Sequence, residues 1–491
     1  MFADKCLVPL FAVLLMTPAC GGSTSDSGTT ADEMGSTEAP ATMSPTRVER
    51  AGNKDWTIEQ ISADTSGVTP TIAVSDTGAV GVAFFASDST EGDECTELAA
   101  GGTETLPNKQ FLKVYFGSRS GSSWSIDVAH DTLVLNATPP GLDLAYEGDT
   151  PQIATLVGEA YGRLRHCAAN DLGIVSRANG AWSVETIVKE SDEAAADTNP
   201  ELSEAAEASD AGFAVGYQAA LAKDTRGQLG IVYRDIHDGG LQADDQARAD
   251  VEMAWQLGGG WKNIMVSQGI GGGEHTGLVF DSQNRPVVLY TTAQEKEIRG
   301  QSVLGLWIAR SSDEGDTWDK IKLFEGVVTS KPDLAVGPDG GLYVAYYDNA
   351  PDRKRGVLFH LPDGGMLGDD WVKVYLDEKS YIGGQEPSIA FDSSGRPAVS
   401  FYRCGKTTDA DCTDRNDGLV LGYVAEIKGI DFEDWDWTYE LVDGGDKGRC
   451  GRASTLVFDS QDRANIAYEC TVQQGDEFGQ FIKYARRKAV R

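Results

Sequence analysis

Basic side chains are scarce. Lys and Arg number 42 against 76 Asp and Glu, a formal net charge of −34 at pH 7. Such a chain lacks the cationic surface that nucleic-acid phosphates require, and it does not adsorb to anionic lipid by charge. Histidine is scarcer still. The five at His130, His166, His237, His275 and His360 include no pair at metal-ligand spacing, and neither CxxC nor HxxxH occurs. No GxSxG is present to place a nucleophilic serine. The acidic stretch 190–210 (ESDEAAADTNPELSEAAEASD) lacks the Asp-x-Asp-x-Asp-Gly order of a calcium loop. These gaps leave no expectation of a metal or a cofactor. The acidity favours solubility outside the cell and basic partners.

What the chain has is repetition. Residues 387–403 read PSIAFDSSGRPAVSFYR: two apolar runs around a polar turn, hence strand, tight turn, strand. The pattern recurs at 275–290 (HTGLVFDSQNRPVVLY), 331–347 (KPDLAVGPDGGLYVAYY), 453–468 (ASTLVFDSQDRANIAY) and 70–85 (PTIAVSDTGAVGVAFF), and more weakly at 141–156 and 218–234. A Trp opens a further apolar run at Trp56, Trp124, Trp182, Trp261, Trp318, Trp371 and Trp437, with a third short run between hairpin and Trp, as in KVYFG and GLWIA. Seven hairpins interleaved with seven Trp-led strands predict an all-β chain: a seven-bladed β-propeller of four-stranded antiparallel blades. A pair of β-sandwiches would not give seven copies in register. The Trp56 strand precedes the first hairpin, and the last hairpin is followed by a single strand, 480–485. The N-terminal strand is therefore expected to close the ring by pairing in the last blade, which leaves no open edge.

Three regions follow. The apolar run 6–16 is too short to cross a bilayer as a permanent helix and reads as an export signal over residues 1–19. The sequence Thr-Pro-Ala-Cys at 17–20 resembles the lipobox of bacterial lipoproteins, although Thr17 stands where that family usually has Leu. The resemblance implies lipidation of Cys20, and Gly21 after it implies the outer membrane. Residues 20–54, rich in Gly, Ser, Thr and Pro without an aromatic, form a disordered tether. Residues 55–491 form the propeller. An exported monomer is expected at the outer membrane or cell surface, held to the membrane through the lipid alone.

Blade topology sorts the loops. The turns after the innermost strands are short and share one face, the bottom. The loops after the second strands are long and share the other, the top, where binding on a rigid scaffold usually sits. Beyond Cys6 and Cys20, six cysteines remain, and in an exported protein they point to disulfides. Their loop positions suggest Cys404 with Cys412, Cys450 with Cys470, and Cys95 with Cys167.

Residues 311–318 read SSDEGDTW, the pattern Ser-x-Asp-x-Gly-x-Thr-Trp. This resembles the Asp box, or BNR repeat, of sialidases and several other propellers. The resemblance implies a tight turn shaped by Asp313 and Gly315 between third and fourth strands, with Trp318 packed into the blade. It does not imply sialidase activity. Sialidases have six blades, three substrate-gripping Arg and an Arg-Ile-Pro stretch early in the domain, and this chain has no such stretch. Its top rim does carry Arg234, Arg403, Arg449 and Arg452, with Asp235, Asp348 and Glu386 near them in topology.

The reading is a surface binding module for a glycan or protein, with no catalytic residue assigned. Arg234, Asp235, His237, Tyr402, Arg403 and Arg452 are the candidate ligand contacts. Arg would serve an acidic sugar; Tyr stacking and the acids would serve a neutral one. Alternatives are a sialidase-like glycoside hydrolase on the same face and a structural subunit of an envelope assembly.

Overall fold

The computed structural model describes residues 55–488 except 62–66, 88–94, 100–101, 107–110, 136–140, 158–170, 189–211, 238–248, 269–270, 293–296, 299–300, 351–353, 378–380, 407–416, 428–434, 445–447 and 475–476. The segments expected to be an export signal and a tether, with Cys20, lie outside these residues, as do Cys167 and Cys412.

The described residues are all β, with no helix. The chain is a β-propeller of four-stranded antiparallel blades. The first sheet runs outward through Gly67–Val74, Val80–Ser87, Phe111–Ser120 and Ser123–Leu135. The second runs through Asp143–Glu147, Thr150–Val157, Asp171–Ala178 and Ala181–Val188. The third uses Gly212–Lys223, Leu229–His237, Asp250–Leu257 and Gly260–Ser267. The fourth uses Gly272–Phe280, Pro286–Thr292, Gly305–Arg310 and Asp319–Phe324. The last sheet is Gly448–Phe458, Ala464–Gln474 and Glu477–Arg487, with Trp56–Gln60 paired antiparallel on its outer side.

Seven separate blades are not what the sheets show: five are separate four-stranded sheets, and the chain between the fourth and the last forms one eight-stranded sheet. Its halves are Asp333–Val336, Leu342–Asp348, Arg355–Leu361 and Val372–Tyr375, then Tyr381–Phe391, Pro397–Lys406, Asp417–Glu426 and Asp436–Gly444. They join at one parallel bridge, Arg355↔Gly383. Glycine makes that approach feasible. A Cβ on Gly384, at φ +92°, would fall 2.2 Å from the Gly356 Cα, closer than any side chain allows.

Second strands are mostly buried, and Pro286–Thr292 is so throughout, whereas the fourth strand Ala181–Val188 faces solvent along most of its length. The apolar side chains lie between consecutive sheets. Val287 and Ile308 of the fourth pack against Val344 and Phe359 of the eight-stranded sheet, and Phe84 of the first packs with Ile482 and Tyr484 of the last. Fully burying one such ring stabilises the fold by roughly 1.5–3 kcal/mol.

Short polar devices tie the sheets together. Three bottom turns repeat one construction: the carboxylates of Asp281, Asp392 and Asp459 accept from backbone amides two and four residues on, and from Nε of Arg285, Arg396 and Arg463. On the innermost strands the residue before a buried aliphatic reaches the next sheet. Leu221 N donates to Asp143, Ile389 N to Asp333 and Leu456 N to Ser388, and Thr455 Oγ1 donates to Pro70 O. The turn at 311–318 forms as its motif implies. Asp313 accepts from Thr317 N at 2.8 Å and Thr317 Oγ1 at 2.6 Å, and these bonds hold its carboxyl down at about 2.

Candidate functional site

The six candidate contacts do not form one cluster. A strand turns successive side chains to opposite faces, so neighbours in sequence part company. Tyr402 and Arg403 point apart, and so do Arg234 and Asp235.

Arg403 is 9% exposed and already committed. Its Nε donates to Asp377 Oδ2 at 2.8 Å and its Nη2 to Oδ1, while the guanidinium lies 4.1 Å from the Tyr381 ring centroid. Arg355 Nη2 donates to the Asp377 carbonyl at 2.5 Å. The group pins the segment joining the two halves of the eight-stranded sheet.

Arg234 is also buried, on the second strand of the third sheet, near Tyr217 and Glu274. Burial pulls its guanidinium down, and Glu274 pushes it up; burial likewise raises the Glu274 carboxyl. Next to Glu274, burial lowers the His275 imidazole to about 3, with Lys331 and Arg234 adding to the effect, so it is neutral. Asp235 is fully buried. His237 ends the same strand, and its side chain lies outside the described residues.

Arg452 and Tyr402 do come together, in a group that draws on several sheets. The Arg452 guanidinium lies 5.2 Å from the centroid of fully buried Tyr402. Burial pulls that guanidinium down, and Glu386, Tyr402 and Glu469 more than restore it. Glu386, on the innermost strand Tyr381–Phe391, accepts from Ala453 N. Glu469, on Ala464–Gln474, accepts from Thr69 N at 2.6 Å and from Gln480 Nε2 at 3.3 Å. Burial, then the charge of Glu386, pushes the Glu469 carboxyl up to about 7, against the pull of the Thr69 amide and Arg452. Two acidic side chains and one guanidinium thus share a poorly solvated space, which is what raises the Glu469 carboxyl.

The backbone here is unusual. Thr69, Glu386 and Ala453 hold φ of 49°, 50° and 45°, left-handed values that side-chain-bearing residues rarely adopt. Each sits where the register between inner and second strand shifts. Gln218, at φ 52°, repeats the feature in the third sheet. Such outliers persist when surrounding structure enforces them, and they concentrate at functional sites.

Glu469 and Asp377 escaped the sequence reading. Glu469 carried a usable signal, an acid beside Cys470 at the end of a second strand; Asp377 sits in an irregular link and carried none. Cys450 and Cys470 are register partners joined by a disulfide. Cys404 is disulfide-bonded too, and its partner is outside the described residues. Cys95 opens a strand, Cys95–Ala99, whose side chains are not described. Among the described residues, Asp443, Cys450 and Cys470 have metal-ligand proximity, but both sulfurs are taken by the disulfide.

No protein-family model matches the sequence, and no curated protein matches it. Solved structures of similar course include a protein of unknown function from Dyadobacter fermentans, at TM-score 0.46 and 12% identity, covering 89% of this chain and 98% of that one. Others are the NanB sialidase of Streptococcus pneumoniae (0.43, 12%, 88% and 70%) and the intramolecular trans-sialidase of Ruminococcus gnavus (0.40, 13%, 87% and 96%). Likeness at this level carries nothing about chemistry.

Proposed function

We propose that this chain is an exported, lipid-anchored propeller that binds a glycan or protein ligand around Arg452, Tyr402, Glu386 and Glu469. The observation that carries the reading is the convergence of these four titratable side chains, drawn from two sheets and flanked by left-handed backbone at Thr69, Glu386 and Ala453. Their partners also refine the ligand. Arg403 faces Asp377, Arg234 faces Glu274, and Arg452 faces two Glu. An acidic sugar would compete with a carboxylate of the chain for every one of these guanidinium groups, so a neutral or cation-bearing ligand suits the site better. We count the ring as seven blades by taking the eight-stranded sheet as two, since one bridge joins its halves. Pairing of Trp56–Gln60 with the C-terminal strand supports closure, as do the bonds from Thr69 and Thr455 between the first and last sheets.

A glycan array, followed by Arg452→Ala and Glu386→Gln, tests the site. Each change should weaken binding about ten- to a hundredfold, the usual loss of a charged contact. Affinity unchanged in both variants moves the ligand elsewhere. For the anchor, Cys20→Ala should release the protein from membranes; an intact mass without acyl chains rules the anchor out.

A glycoside hydrolase is the second reading, favoured by one feature: the Glu469 carboxyl near 7 beside Glu386, a carboxyl suited to act as a general acid. In that case the array ligands would be cleaved, and Glu469→Gln would abolish turnover while keeping binding.

A further inference from the structure

Between the fourth sheet and the first half of the eight-stranded sheet lies an open cleft of about 410 Å3, within the size range of small-ligand sites. The outer strands Asp319–Phe324 and Val372–Tyr375 and the loop before the second strand line it. Leu323 and half-buried Trp371 give it apolar walls. The indole is fixed, with Nε1 donating to Leu367 O at 3.1 Å and the ring meeting Phe359 edge to face. The polar lining is Lys322, Asp369, Asp370 and Lys373. The Lys322 ammonium is already engaged by Ser302 O and by Glu325 at 3.4 Å, over the Trp307 ring, so Lys373, Asp369 and Asp370 are the charges left to the cleft. The loop is folded on itself, since Asp369 Oδ2 accepts from Met366 N at 2.7 Å.

We propose that this cleft is a second binding site, for one or two rings of an uncharged sugar. One ammonium against two carboxylates leaves no excess of positive charge to hold an anionic ligand. A sugar ring offers a C–H face to Trp371 and Leu323, and its edge hydroxyls both donate to the Asp369 and Asp370 carboxylates and accept from the Lys373 ammonium. An apolar peptide segment would strip water from the charged lining and return no hydrogen bonds. The cleft uses strands other than those bearing Arg452, Glu386 and Glu469, so the proposal does not rest on the function proposed above.

The test is ligand-observed saturation-transfer NMR with maltohexaose, cellohexaose and xylohexaose as neutral probes, and trigalacturonate and a glucosamine trimer as charged ones. Gly368→Trp fills the cleft: this glycine lines it, has an ordinary φ, and a Cβ there meets nothing within 4 Å. Asp370→Ala removes an exposed acceptor. At least one neutral probe should bind at millimolar concentration, and each variant should weaken it at least fivefold with the unfolding temperature unchanged. Glu386→Gln should leave it bound. Failure of every neutral probe overturns the proposal, as does tighter binding of a charged probe. Binding lost in Glu386→Gln but kept in both cleft variants also overturns it, by placing the sugar at the Arg452 group.

Discussion

Arg403→Met should destabilise the folded chain by roughly 3–5 kcal/mol, the usual cost of removing one partner from a buried ion pair. Asp377 is 4% exposed and holds both ends of the Arg403 fork, so the substitution strands a carboxylate with little access to water. It also removes the cation above the Tyr381 ring. Denaturant titration of Arg403→Met, Asp377→Asn and the double variant measures the coupling, asparagine being chosen because residue 377 holds φ 67°, a left-handed value that Asn tolerates and Leu does not. The double variant should recover much of the loss, because methionine and asparagine leave no charge unmatched. A loss below about 1 kcal/mol in the single Arg403 variant, together with weaker ligand binding, would mean that this arginine serves a ligand and not the fold.

Glu469→Gln should make the protein more stable at pH 8 and leave it nearly unchanged at pH 5. The folded chain holds the Glu469 proton up to about 7, against an ordinary value of 4.5. Between those values the native state binds the extra proton, so this group's contribution is most favourable at low pH and is lost as pH rises through 7. Above 7 a poorly solvated carboxylate faces Glu386, offset in part by Arg452 and the Thr69 amide. Glutamine keeps an acceptor for that amide and carries no charge. The gain at pH 8 should be roughly 1–3 kcal/mol, read from unfolding curves at pH 5, 6, 7 and 8. A difference that is flat with pH, or that grows as pH falls, contradicts this account.

The strands were legible because their signal is local. Around Asp281, the apolar runs of Gly272–Phe280 and Pro286–Thr292 flank a turn whose polar residues announce it. The spacing of Asp281 to Arg285, repeated at Asp392 to Arg396 and Asp459 to Arg463, was present in the sequence and marks the turn's internal ion pair. The fusion at Arg355 and Gly383 was not legible, because it depends on how two backbones approach in space. The site was harder still. Tyr402 and Arg403 look like one motif, yet the strand sends one to Arg452 and the other to Asp377. Glu469 meets Thr69 across 400 residues of sequence, a separation no spacing rule reaches.

That last distance also bears on the order of assembly. Synthesis delivers Trp56–Gln60 early and its hydrogen-bonding partner Glu477–Arg487 late, so the first strand waits unpaired while every other sheet is made. Each hairpin between them joins segments close in sequence and can form as it emerges, whereas this pairing, with the other contacts between the first and last sheets, pays the loop-closure entropy of almost the whole domain. Folding is therefore split into many fast local steps and one slow terminal one, and until that step is complete the nascent chain carries an open β-edge that a chaperone must shield or a neighbouring chain can capture.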